Sequence, residues 1–168
     1  MKPIVPSHDE RPGADRHPRG MILDKLDTRI MARLQVDGRV SFRQMAQEFG
    51  TSTSTISSRV SRFEKAGVVT GYSVAINSES LGYDLTAVTE VTVSRGKLPL
   101  TETEIANLPG VCAVYDVTGE YDAMVVAKFR SRKELSSFAK GLLAMPFVER
   151  ANTHVVLATV KEDFRLPL

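Results

Sequence analysis

From Leu23 onward the apolar residues fall three and four apart: Leu23, Leu26, Ile30 and Leu34. That spacing gathers them on one stripe of an α-helix. Asp24 or Asp27 can cap its start, and Asp37-Gly38 breaks it. Ser41-Phe42-Arg43-Gln44 has the form of a capping box, in which two side chains three residues apart satisfy each other's free backbone N–H groups. Val40 and Met45 are placed as its hydrophobic staple and Phe42, Met45 and Phe49 as the buried face, with Gly50 as the stop. Ser52 then caps a third helix with Ile56, Val60 and Phe63 inward, ending at Ala66-Gly67.

The period then changes. Val68–Ile76 is rich in β-branched residues and suits an extended segment leaving the helical unit, and Asn77–Gly82 reads as a turn or hinge. Leu85–Val93 reads as a strand. Thr101-Glu102-Thr103-Glu104 has the form of a second capping box, stapled by Leu100 and Ile105, and Pro109-Gly110 ends the helix it opens. Val111–Val117 and Asp122–Phe129 flank Thr118-Gly119-Glu120-Tyr121 as an antiparallel hairpin. Ser131-Arg132-Lys133-Glu134 is a third capping box, opening a helix whose apolar positions are Leu135, Phe138, Ala139, Leu142 and Leu143. Met145-Pro146 stops it, and Val148–Val160 reads as a long last strand.

This order, strand, helix, strand, strand, helix, strand, is the ferredoxin-like split βαβ plan. Both helices cover one sheet face in that plan. Val111, Ala113, Tyr115 and Val117 alternate with Cys112, Val114 and Asp116, so both faces read as largely apolar and a dimer through the sheets is expected, the alternative being a domain edge shielded by the Val68–Ile76 segment. Four regions follow: a flexible tail over 1–20, a helical domain over 21–71, an extended linker over 72–84 and a sheet domain over 85–168. The tail is dense in Pro and Gly, has no apolar period, and gives His8 and His17 no role.

Composition narrows the class. With 168 residues, 42% hydrophobic and 25% charged, the chain can build a core, and no apolar run reaches the roughly 18 residues a membrane helix needs. The first residues lack the apolar core of a secretory signal, which leads to a cytoplasmic expectation. A lone cysteine, Cys112, supplies neither an intrachain disulfide nor a multi-cysteine metal site. The net charge of +2 is uneven: Lys and Arg exceed Asp and Glu by one over residues 1–20 and by three over 21–71, but fall two short over 72–168. The helical domain is therefore the half suited to a polyanion.

Two helices joined by Gly50-Thr51-Ser52 form a helix-turn-helix, whose third helix would enter the major groove. On the helical wheel Ser54, Ser58, Ser61 and Lys65 lie opposite Ile56 and Val60, with Ser57 and Arg62 on the flanks. Hydroxyls bond phosphates or base edges and cations neutralise phosphate, so this face can bind double-stranded DNA without a strong base code.

The stretches LDKLDTRIMARLQVDGRVSFRQMAQEFG, SSRVSRFEKAGVVTGYSVAINSESLG and LPGVCAVYDVTGEYDAMVVA resemble the Lrp/AsnC family of feast/famine regulators. The resemblance runs from Leu23 to Leu166. It implies an α+β protein: an N-terminal winged helix-turn-helix plus a C-terminal ferredoxin-like βαββαβ domain. It also implies a homodimer, assembly of dimers into octamers, and a small amino acid bound as effector.

By the same resemblance Thr53, Ser54, Ser57, Ser58, Arg59 and Arg62 meet DNA, with Arg59 and Arg62 on phosphate. Arg59 lies closer to the buried stripe than Arg62, which leaves a bracing role open to it. The Thr53-Ser54-Thr55 start departs from the family's proline-containing pattern, so base preference does not transfer. Gly119, Tyr121 and Asp122 fall in the family's effector hairpin; the last strand could reach the same cleft, where the Thr153 hydroxyl is a candidate second contact. Asp122 can pair with an α-ammonium while backbone N–H groups receive the carboxylate. Read without the resemblance, Gly119 is a hairpin glycine and Asp122 a strand-edge charge.

Sirohaem decarboxylases resemble the same two-domain plan, which makes an enzyme one alternative; a sensing or assembly module without DNA binding is the other. The strand Val111–Tyr115 holds no histidine, and His154 has no acid-base partner recognisable in the sequence. No cofactor, metal site or catalytic residue is expected.

Overall fold

The computed structural model describes residues 21–168, so the expected tail over 1–20 lies outside the described residues. The chain forms two compact units, one ending at Ala75 and the other spanning Ile76–Glu162. The last six residues, Asp163–Leu168, group with the first unit rather than with the sheet domain. Gln35 holds them there, its side-chain amide accepting from the Leu166 N–H at 2.7 Å and donating to the Leu166 carbonyl at 3.2 Å.

The first unit holds α1 (Lys25–Val36), α2 (Phe42–Phe49) and α3 (Thr53–Lys65). Asp24 and Asp27 share the start of α1 as N-cap and third residue of one capping box. Ser41 and Gln44 form the box of α2, which closes on Gly50 in the left-handed conformation at φ 66°. Ile30, Met45, Ile56, Val60 and Phe63 are buried together as the core. Val68–Ile76 makes no strand pairing: Val68 and Val69 bend back to donate to the Phe63 carbonyl, and only Val69 of the segment packs on that core. The expected wing therefore forms no β-hairpin among the described residues.

In the second unit β1 (Leu85–Val93), β2 (Val111–Asp116), β3 (Ala123–Phe129) and β4 (Val148–Val155) make an antiparallel sheet in the order β2-β3-β1-β4. The helices α4 (Leu98–Ala106) and α5 (Arg132–Leu143) connect β1 to β2 and β3 to β4, completing the ferredoxin-like plan. Ile105, Phe138 and Leu142 from these helices are buried with Ala87, Val91, Ala123 and Val125, so one sheet face carries the core.

Five expectations are corrected. The helix α4 begins at Leu98, with Pro99 in its first turn, so Thr101 is no cap: it is buried, and its hydroxyl donates to the Lys97 carbonyl at 2.9 Å. Proline's fixed φ starts the helix a turn early, and Leu100 is left exposed. Leu143 likewise faces outward at the end of α5. The last strand stops at Val155; Leu157 and Val160 beyond it are almost fully exposed. On β2, a bulge between Val111 and Ala113 breaks the alternation, so Val111 and Val114 join the core cluster while Ala113 and Tyr115 pair opposite Val126 and Met124. The face away from the helices is mixed rather than apolar, because Glu90, Asn152 and His154 stand in register across β1 and β4 beside Val88.

Candidate nucleic-acid and effector sites

Ser52 orients α3. Its Oγ accepts from the Thr55 N–H at 3.1 Å and lies 2.8 Å from the hydroxyls of Ser54 and Thr55. Thr53, Ser54, Ser57 and Ser58 are exposed on the helix, and Ser58, Ser61, Arg62 and Lys65 line one shallow open cleft. The face opposite Ile56, Val60 and Phe63 thus presents hydroxyls and cations, as a helix reading DNA requires.

Arg59 and Arg62 stand differently. Arg59 Nη1 reaches Asp24 Oδ2 at 2.5 Å and Asp27 Oδ1 at 2.6 Å, so its guanidinium is occupied by two carboxylates. Arg62 Nη2 reaches Asp27 Oδ2 at 2.6 Å while its side chain remains 49% exposed. Burial pushes the Asp27 carboxyl up, but hydrogen bonds from Arg59, the Asp24 amide and Arg62 outweigh that and hold it below its ordinary range. The Arg59 hydrogen bond does the same to Asp24. In the sequence these two aspartates read only as caps; two acidic residues on α1 facing two arginines three apart on α3 was the available signal.

The hairpin between β2 and β3 turns at Gly119, whose φ of 129° favours glycine and whose surroundings are open. Where the β1–β3 ladder ends at Val91 and Ala123, Asp122 continues it: its N–H donates to the Val91 carbonyl at 3.0 Å and its Oδ2 accepts from the Val93 N–H at 2.8 Å. One carboxylate oxygen is therefore committed to the fold. Tyr121 lies under the Arg150 guanidinium, 5.6 Å from ring centre. Thr153 sits beside buried Thr89, hydroxyl to hydroxyl at 3.1 Å, on the sheet face that carries the core. Its partner Thr89 lies two residues along β1 from Val91 and four from Val93, the residues that hold Asp122.

His154 does have an acidic neighbour. Its Nε2 lies 3.3 Å from Glu90 Oε2 and 3.1 Å from Asn152 Nδ2. Hydrogen bonds from Asn152 first, then His154, hold the Glu90 carboxyl below its ordinary range. Sixty-four residues separate Glu90 from His154, so only the β1–β4 register brings them together.

A helix-turn-helix with a polar, cationic third helix, joined to a ferredoxin-like domain, defines a DNA-binding transcriptional regulator with an effector domain. The AsnC-type helix-turn-helix domain matches residues 23–64 and the Lrp/AsnC ligand binding domain matches residues 86–166. An uncharacterized HTH-type transcriptional regulator of Pyrococcus abyssi is 45% identical over 86% of this chain and 99% of its own length. The HTH-type transcriptional regulator FL11 of Pyrococcus horikoshii is 34% identical over 87% of this chain and 97% of its own. Among solved structures, a Neisseria meningitidis transcriptional regulator in complex with L-Met superposes with a TM-score of 0.80 at 28% identity, over 87% of this chain and 97% of that one. The chain belongs to the Lrp/AsnC family of transcriptional regulators. No helix among the described residues is long and apolar enough to cross a membrane.

Proposed function

We propose that this protein binds double-stranded DNA as a sheet-paired homodimer, with octamers as the larger assembly, and that a small amino acid at the Gly119–Asp122 hairpin alters assembly or DNA affinity. The observation that carries the DNA half is the outward face of α3, where Thr53, Ser54, Ser57, Ser58 and Arg62 are exposed together. The hydroxyls meet phosphates and base edges and Arg62 meets phosphate, while Arg59 braces α3 against α1. The effector half is supported by the open turn at Gly119, by the second oxygen of Asp122 as a partner for an α-ammonium, and by the L-Met bound to the Neisseria regulator. Tyr121 flanks that site. Thr153 acts indirectly, tying β4 to β1 through its hydroxyl contact with Thr89.

Coupling requires that the amino acid bind one assembly state better than another. Labelled duplex from upstream of the protein's own gene, titrated at two salt concentrations with and without a panel of amino acids, tests both halves. Sequence-specific binding that one amino acid shifts is the expected result. Specific binding indifferent to every amino acid removes the effector role of the hairpin, and no duplex binding removes the DNA role of α3.

A further inference from the structure

Among the described residues Asp27 is the one ionisable side chain that is buried, and it lies against the helix read here as the DNA-contacting one. A carboxylate in that place is electrostatically adverse twice over: it loses hydration on burial, and it repels a polyanion. Its contacts supply a reason for it. Oδ1 takes Arg59 and Oδ2 takes Arg62, each at 2.6 Å, and Oδ2 also accepts from the Asp24 N–H at 3.2 Å. Arg59 meets Asp24 as well and is only about a quarter exposed.

Arg62 spends a single nitrogen on Asp27 and is half exposed, with its Cζ 5.3 Å from the Phe63 ring centre. A guanidinium is a rigid planar fork with five N–H groups, so holding one edge fixes the direction of the others. Arg62 lines the open cleft together with Ser58, Ser61 and Lys65.

We propose that Asp27 is a positioning residue for DNA binding: it holds Arg62 so that the free edge of the guanidinium meets a phosphate, while Arg59 serves as internal brace. Fixing the side chain in advance removes rotamer freedom that it would otherwise lose on binding. The inference rests on α3 being the DNA-contacting helix.

The test uses the full chain, a labelled duplex from upstream of its own gene, and a series of salt concentrations, with Asp27→Asn, Arg62→Leu, Arg62→Lys and the double variant Asp27→Asn with Arg62→Leu. Electrostatics alone would make Asp27→Asn bind DNA more tightly, since a negative charge is removed. Positioning makes the opposite outcome the expected one: affinity falls roughly tenfold, the loss of one charge-assisted hydrogen bond. The slope of log affinity against log salt shrinks by about 0.9 for each protomer on the duplex, one phosphate contact apiece. Arg62→Lys should lose the same slope, because its lone ammonium pairs with Asp27 and offers no second edge. In the double variant, Asp27→Asn should add nothing to the loss from Arg62→Leu.

Tighter or unchanged binding by Asp27→Asn overturns the proposal, as does an Arg62→Lys protein that keeps the full slope. If Asp27→Asn melts before it can be titrated, Arg62→Lys decides, being a change at an exposed position. Wild-type protein without salt-dependent duplex binding would sink the DNA reading and this proposal with it; wild-type binding with an unaltered Arg62→Lys slope sinks the positioning role alone.

Discussion

Asp122 joins the β2–β3 hairpin to β1, and replacing it separates this folding role from the binding role proposed for it. In Asp122→Ala the Val93 N–H, on a residue only 7% exposed, loses its carboxylate acceptor. Removing a charge-assisted partner from a buried donor costs about 1.5–3 kcal/mol. For a domain of 60–100 residues each kcal/mol moves Tm by about 4–8 °C, so a loss near 2 kcal/mol lowers the melting of the sheet unit by about 8–16 °C. Asp122→Asn keeps an oxygen acceptor in place and should cost no more than about 1 kcal/mol. It removes the charge proposed to pair with an α-ammonium, so the response of DNA binding to amino acids should disappear while the melt stays near wild type. Calorimetry at one fixed protein concentration follows the first effect, and duplex titration with the amino-acid panel follows the second. An Asp122→Ala protein melting within 2 °C of wild type, or Asp122→Asn as damaging as Asp122→Ala, refutes the hydrogen-bond reasoning.

Ser52→Ala removes the cap of α3 and should cost the helical unit about 1 kcal/mol, with Ser52→Asp restoring most of it, as read by thermal melts. Leu142→Ala, fully buried between α5 and the sheet, should destabilise the second unit by about 2–5 kcal/mol in urea unfolding without changing the salt slope of duplex binding. Asp27 titrates below its ordinary 3.8 in the folded chain, so its stabilisation is fully present above that value and is lost as pH falls through the folded one. The melting temperature of the helical unit should therefore drop on acidification below about pH 3.8, and Asp27→Asn should flatten that part of the profile.

What the sequence determined by itself was local. Helix stripes, the Ser41–Gln44 box, the Ser52 cap and the Leu85–Val93 strand are set by side chains within one or two turns of each other, so periodicity and capping chemistry suffice to place them. Even the failures at this level were local: Pro99 outcompeted Thr101 for the start of α4, and the bulge near Cys112 brought Val111 and Val114 to one face of β2. The solvent-facing side of α3 was legible for the same reason, because the wheel alone separates Ser58 from Ile56.

The tertiary structure decided which charges meet. Arg59 and Arg62 become partners of Asp27 only when α1 packs beside α3, more than thirty residues away in the chain. Asp122 becomes a continuation of the β1 ladder, Thr153 a partner of buried Thr89, and His154 a neighbour of Glu90 only through strand register. A side chain's periodicity reports which face it takes, but an ion pair or hydrogen bond requires two groups within about 3 Å, and long-range packing sets that distance.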